Sequence, residues 1–310
     1  MSEIDLAVKL GSLTMKNPVT TASGTFGNGL EYIDHLDITR LGALTLKAVT
    51  SEPRLGNSGQ RLIETPSGVI NSIGLMNPGV EVFCAEILPE LRQYVLPLIV
   101  NIGGSTVSDY AHVAERLDHE PGITALEVNI SCPNVAAGGM VFGTDAKLAA
   151  KVTSEVRAKT SLPLFVKLTP NVTDIAEIAR AVEAAGGDGF SLINTLLAMD
   201  ISIASRRPIL DNVFGGLSGP AIRPIALRMV YQVHRVSALP IIGMGGITTW
   251  EDALKFILAG ASAVAVGTAN LSHPQATLAI IAGLEEYCRT AGVSHIADLI
   301  GAAHHQGTSC

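Results

Sequence analysis

The chain has 310 residues, of which 47% are apolar, and a formal net charge of −7; it can bury a large core, which excludes a disordered chain. The acidic balance argues against nucleic acid as a partner, because phosphate binding needs clustered Lys and Arg. Met1-Ser2-Glu3-Ile4-Asp5 is acidic where a signal peptide is basic, and no apolar run reaches a membrane span, so a cytoplasmic protein without membrane contact is expected.

In chain order, residues 6–15 alternate enough to predict a small hairpin. Short aliphatic or β-branched runs then follow at 19–22, 43–46, 98–102, 124–130, 164–168, 189–193, 240–244 and 262–266. They are apolar on both faces, as strands buried between a packed interior and an outer layer of helices should be. Helical patterns lie between them, including 174–185 with Thr173 as N-cap and 250–259 after Thr249, with Gly260 beyond. Eight βα units predict an α/β fold, a (β/α)8 TIM barrel with inserted loops over the C-terminal face. A single domain is expected over 1–310. Two connections, 50–78 and 196–216, exceed what a barrel needs. Both leave strands at the carboxyl end, as does the loop at Gly138-Gly139, so the three should converge there as walls or lids.

The residues that end the runs are polar or glycine: Ser23, Lys47, Asn101, Asn129, Lys167, Asn194 with Thr195, Gly245-Gly246 and Gly267-Thr268. Lysines inside a barrel are costly to bury and need anionic partners. Because Lys47 and Lys167 share the end that carries Cys132, a ligand is expected as that partner, in preference to a structural ion pair with a glutamate. The glycine loops after the seventh and eighth runs offer backbone amides with little steric cover, where barrels of this kind bind phosphate.

Asn129-Ile130-Ser131-Cys132-Pro133-Asn134 places a thiol and amide side chains just beyond the fourth run. Two amides suit a planar ligand with several polar edges. Cys84 and Cys288 lie in apolar helical surroundings and Cys310 ends the chain, so these three are expected to be structural or incidental. The four cysteines show no CxxC spacing, which leaves no disulfide framework, zinc site or iron–sulfur centre to expect. Two lysines, several amides, a phosphate cradle and a thiol together point to FMN, and no GxGxxG follows a strand as NAD or FAD would require.

These motifs, with Asn71-Ser72-Ile73-Gly74-Leu75-Met76-Asn77-Pro78-Gly79, Val166-Lys167-Leu168 and Gly215-Gly216-Leu217-Ser218-Gly219-Pro220, resemble class 1 dihydroorotate dehydrogenases nearly end to end. The resemblance is greatest to the type B catalytic subunit, through Leu13 to Pro18, Gly143-Thr144-Asp145 and Pro170 to Ile175. It implies an FMN barrel that oxidises dihydroorotate to orotate in pyrimidine synthesis, with Cys132 as the base. It also implies that Asn71, Ser72, Ile73, Gly74, Leu75, Asn129, Asn134, Asn194 and Thr195 hold the pyrimidine, with Lys47 touching both flavin and substrate. FMN would be held by Ser23, Lys47, Ala48, Asn101, Asn129, Lys167, Ile193, Gly219, Gly245, Gly246, Gly267 and Thr268. Type B implies a partner subunit carrying FAD and a 2Fe-2S cluster, NAD as terminal acceptor, and a homodimer of catalytic subunits within a heterotetramer. The alternatives are a type A homodimer that reduces fumarate, a tRNA-dihydrouridine synthase-like flavoprotein, which the acidic charge disfavours, and a metabolite-binding barrel without turnover.

Overall fold

The computed structural model describes residues 4–131 and 142–304, so the expectations attached to Cys132, Asn134, the Gly138-Gly139 loop and Cys310 lie outside the described residues. The parallel strands are β1 (Val19–Thr21), β2 (Leu44–Thr45), β3 (Leu98–Ile102), β4 (Ile123–Asn129), β5 (Leu164–Lys167), β6 (Gly189–Leu192), β7 (Ile241–Met244) and β8 (Ala263–Val266). Each falls within a residue or two of a predicted run. They form one eight-stranded sheet in the order β1-β8-β7-β6-β5-β4-β3-β2, a nearly closed (β/α)8 barrel. Every residue of β3, β5, β6, β7 and β8 is buried, the consequence of covering both faces of a parallel sheet.

Side chains close the seam between β1 and β2, where no backbone ladder forms. Thr21 Oγ1 donates to Thr45 O at 3.0 Å and accepts from Thr45 N at 3.1 Å, standing in for a backbone partner. Thr20 Oγ1 and Thr45 Oγ1 lie 3.0 Å apart in the same buried seam. Thr21→Val keeps the shape but strands a buried N–H and C=O, so it should lower the unfolding free energy by about 2–4 kcal/mol in urea titrations. A loss under about 0.5 kcal/mol would show that the seam does not depend on these bonds.

The major helices are α1 (Val107–Asp118), α2 (Ala146–Arg157), α3 (Ile175–Ala184), α4 (Arg223–His234), α5 (Trp250–Leu258) and α6 (Ala276–Ala291). In the first unit, 3-10 turns at Leu30–Tyr32 and Ile38–Arg40 take the helix's place. Side-chain caps start four helices: Thr106 with Asp109 in a capping box on α1, Asp145 on α2, Asp174 on α3 and Thr249 on α5. Asp174, and not Thr173, caps α3, because its carboxylate reaches Ala176 N at 2.9 Å.

The predicted hairpin forms from Val8–Leu10 and Leu13–Met15, with Gly11 at φ 63° in the turn and Leu10, Leu13 and Met15 buried in the core. The two long connections do not act as separate lids. They combine in one antiparallel sheet, ordered Leu196–Ala198, Gly215–Ser218, Gly68–Asn71 and Leu62–Thr65, over a small apolar cluster of Ile63, Ile70 and Leu210. This shared sheet fixes the register of Asn71 against Gly216. Contact there is close: a Cβ on Gly216 would come within 2.0 Å of Thr195 Oγ1, so that strand can pass only as glycine.

Candidate active site

At the carboxyl ends of the strands lies a cavity of about 400 Å³, a size typical of small-molecule sites. Its wall includes, of the residues predicted to hold a cofactor, Ser23, Lys47, Ala48, Asn129, Lys167, Ile193, Gly219, Gly245, Gly246, Gly267 and Thr268. Of those predicted to hold substrate, Lys47, Asn71, Ile73, Gly74, Leu75, Asn129, Asn194 and Thr195 line the same space. Helix N-termini face this end too, since in a βα barrel each helix follows the carboxyl end of a strand, and their dipoles favour anions.

Two predicted residues do not line the cavity. Asn101 is fully buried on β3 and its Nδ2 donates to Glu127 Oε1 at 2.5 Å. Ser72 is buried, and its hydroxyl accepts from the side chains of Asn57 and Asn212 at 2.9 and 3.1 Å. Asn101 meets Glu127 because the two are paired in register across β3 and β4, whereas Ser72 is met by amides from the two long connections. Cys132 and Asn134 lie outside the described residues, immediately after Ser131.

The lysines differ in their surroundings. Lys167 has a protein carboxylate after all: its Nζ lies 3.6 Å from Oε1 of Glu127, which is 0% exposed, and donates to Ser23 Oγ at 3.0 Å. The structural ion pair with a glutamate is therefore present, although Lys167 also reaches the cavity wall. No local pattern marks Glu127, which sits inside an apolar strand, two residues before Asn129 and on the same face. Lys47 has no carboxylate partner among the described residues, so its charge is left for whatever enters the cavity.

A hydroxyl relay orients two of the amides. Asn194 Nδ2 donates to Ser131 Oγ at 2.5 Å, and Ser131 Oγ donates to Asn129 Oδ1 at 2.8 Å. With these atoms engaged, Asn129 keeps its Nδ2 donor and Asn194 its Oδ1 acceptor for the cavity. One donor beside one acceptor matches the carbonyl and N–H of a cyclic imide or amide. Tyr110 donates its hydroxyl to Asn129 O at 2.8 Å, holding the end of β4 from the helix side. Asn71 Nδ2 donates to Gly216 O at 3.1 Å across the antiparallel sheet.

The segment from Ile73 to Leu75 carries local strain. Leu75 has φ 53°, a left-handed conformation that costs a non-glycine residue about 1 kcal/mol or more. Asn77 holds it there, with Nδ2 donating to Leu75 O and to Thr50 Oγ1, each at 2.7 Å. Sequence reasoning also left out Leu62, Val69, Ser218 and Leu271, which line the cavity. Ser218 had a visible signal, lying inside the Gly215 to Pro220 run, and its hydroxyl meets Thr268 Oγ1 at 2.9 Å. The others come from the antiparallel sheet and the short helix Ala269–Ser272 after β8, where no local pattern marks a wall.

The family profile described as dihydroorotate dehydrogenase matches residues 5–288. A protein of Desulforudis audaxviator named "Dihydroorotate dehydrogenase B (NAD(+)), catalytic subunit" is 57% identical over 305 residues, covering 98% of this chain and 99% of that one. A protein of the same name from Desulforamulus reducens is 57% identical over 302 residues, covering 97% and 99%. Another, from Geobacillus kaustophilus, is 51% identical over 302 residues, covering 97% and 96%. With similarity of this depth running nearly end to end, the chain belongs to the dihydroorotate dehydrogenase family.

Proposed function

We propose that this chain is the catalytic subunit of an NAD-linked dihydroorotate dehydrogenase, oxidising dihydroorotate to orotate in pyrimidine synthesis. The observation that carries this reading is the full-length similarity to proteins named as such catalytic subunits. The cavity is consistent with it in chemistry as well as in position.

FMN fits the residues present. At one end, Gly245, Gly246, Gly219 and Thr268 line the cavity with little steric cover and offer a place for a phosphate. At the other, Lys167, Lys47 and Asn129 present cations and an amide donor to a polar, electron-rich ring. Bound there, FMN would supply the two-electron acceptor for a hydride leaving C6 of dihydroorotate.

This chain's own residues do the rest. Cys132, as thiolate, takes the proton from C5, so that proton and hydride loss together leave the C5=C6 double bond of orotate. Asn129 Nδ2 and Asn194 Oδ1 pair with the carbonyl and N–H edge of the pyrimidine, and Asn71 and Asn134 complete its frame. Lys47, free of any described carboxylate, neutralises the substrate carboxylate and faces the flavin. The Ile73 to Leu75 segment covers the ring and excludes water.

The electrons then pass to a separate subunit, assigned FAD and a 2Fe-2S cluster, and on to NAD, with two catalytic subunits joined in a heterotetramer. A cytoplasmic location suits the free, buried thiols of Cys84 and Cys288. No helix among the described residues is long and apolar enough to cross a membrane.

Anaerobic mixing tests this reading. The purified chain with FMN should lose its flavin absorbance on addition of dihydroorotate, yet reduce NAD only after a flavin and iron–sulfur partner is added. Absence of bleaching would refute the activity, NAD reduction by the chain alone would refute the partner, and rapid turnover with fumarate would move the chain to type A.

A further inference from the structure

Asp252 is a buried carboxylate that the proposed chemistry does not use. It occupies the third position of α5 and is 3% exposed. Its Oδ2 accepts from Thr248 Oγ1 at 2.9 Å and from Thr248 N at 3.2 Å. Its Oδ1 accepts from Arg223 Nη1 at 2.5 Å and lies 3.6 Å from Lys255 Nζ, a more exposed cation. Thr248 ends the glycine loop after β7, and Arg223 opens α4 just beyond Gly219-Pro220. One carboxylate therefore joins the two segments that form one end of the cavity.

The junction is close enough to matter. A Cβ on Gly246 would lie 2.7 Å from Gly219 O and 3.0 Å from Arg223 N, so the loop and the helix start touch backbone to backbone. Gly246 also has φ 78°, a conformation open mainly to glycine. Small shifts of the loop against the helix would move the amides of Gly245 and Gly246 away from the α4 end. Burial pushes the Asp252 carboxyl up, but hydrogen bonds from Thr248 and Arg223, together with the Arg223 charge, outweigh it and hold the group below the usual carboxylate value. It is thus an ionised clamp near neutrality.

We propose that Asp252 is a positioning residue for the anion-binding end of the cavity, locking the Gly245 to Thr248 loop onto the start of α4 so that their amides converge on the phosphate of the cofactor. Asp252 itself makes no contact with the ligand. The proposal rests on the assignment of FMN to this cavity, and it concerns the phosphate specifically.

The test compares FMN with riboflavin, which lacks the phosphate, as ligands of the flavin-free full-length chain. Wild type should bind FMN more tightly than riboflavin. Asp252→Asn should reduce that preference about tenfold or more, as expected for lost hydrogen bonds to a charged group, while riboflavin affinity stays within about twofold. Equal weakening of both flavins, or no change, would overturn the positioning role, because a general loss of structure does not single out the phosphate. Equal binding of the two flavins by wild type would instead refute the phosphate assignment and take the inference with it. Should Asp252→Asn fail to fold, Thr248→Val removes one bond of the clamp; a smaller loss of preference supports the role, and an unchanged ratio overturns it.

Discussion

Cys132→Ala is expected to slow flavin reduction by dihydroorotate about 10²- to 10⁴-fold, the usual contribution of a general base. Bound FMN and orotate affinity should be retained, because the substitution removes the proton acceptor and leaves the amides and lysines in place. The wild-type rate should rise with pH as the thiolate forms. Rapid-mixing absorbance measurements distinguish the outcomes, and near-wild-type bleaching by the variant would remove Cys132 from the proton transfer. Cys84 serves as a contrast: burial pushes its thiol up to about 11, so near neutrality it is protonated and packed in the core, and Cys84→Ala should affect stability without touching the rate.

Lys167→Ala should cost about 3–5 kcal/mol of stability in the flavin-free protein, the range for removing one partner of a buried ion pair. The reason is the carboxylate it leaves behind: Glu127 is wholly buried, its Oε1 is shared between Lys167 and Asn101, and its Oε2 has no hydrogen-bond partner among the described residues. Adding Glu127→Gln to Lys167→Ala should recover part of that loss, since the uncompensated charge is then gone. The double variant should still bind FMN weakly and hold it at a lowered reduction potential, because the cation at the cavity wall remains absent. Urea titrations and potentiometry read the two effects separately. A single variant that unfolds within about 1 kcal/mol of wild type would show that the pair contributes little beyond its own desolvation.

These expectations draw on different levels of structure. The barrel strands were legible because parallel strands buried on both faces appear as uninterrupted apolar runs, as in 98–102 and 164–168, and their order follows from the βα alternation. The polar residues that interrupt such runs at their carboxyl ends, Lys47, Asn129, Lys167 and Asn194, could be picked out for the same reason. An apolar strand has no local need for them.

Partnership was harder to read. Whether Lys167 meets a ligand or a glutamate depends on which residues of β4 face it across the sheet, and the register that pairs Asn129 with Lys167 is a property of the assembled barrel. Ser72 and Asn101 look like ligand-binding polar residues by type and position, yet each turns toward a protein partner supplied by a segment distant in the chain. The long connections were visible as insertions, but not as strands of one sheet, because antiparallel pairing between 62–71 and 196–218 joins segments whose sequences carry no record of one another.

By itself, the sequence determined the barrel class, the end of it that carries chemistry, and the residue types available there, because burial on both faces and strand-end polarity are local patterns. Only the tertiary structure decided which charges are already paired, which amide atoms remain free for a ligand, and how Asp252 ties the β7 loop to α4. Those outcomes depend on distances of a few ångströms between residues far apart in the chain, and hydrogen bonds and ion pairs are lost or gained within that range.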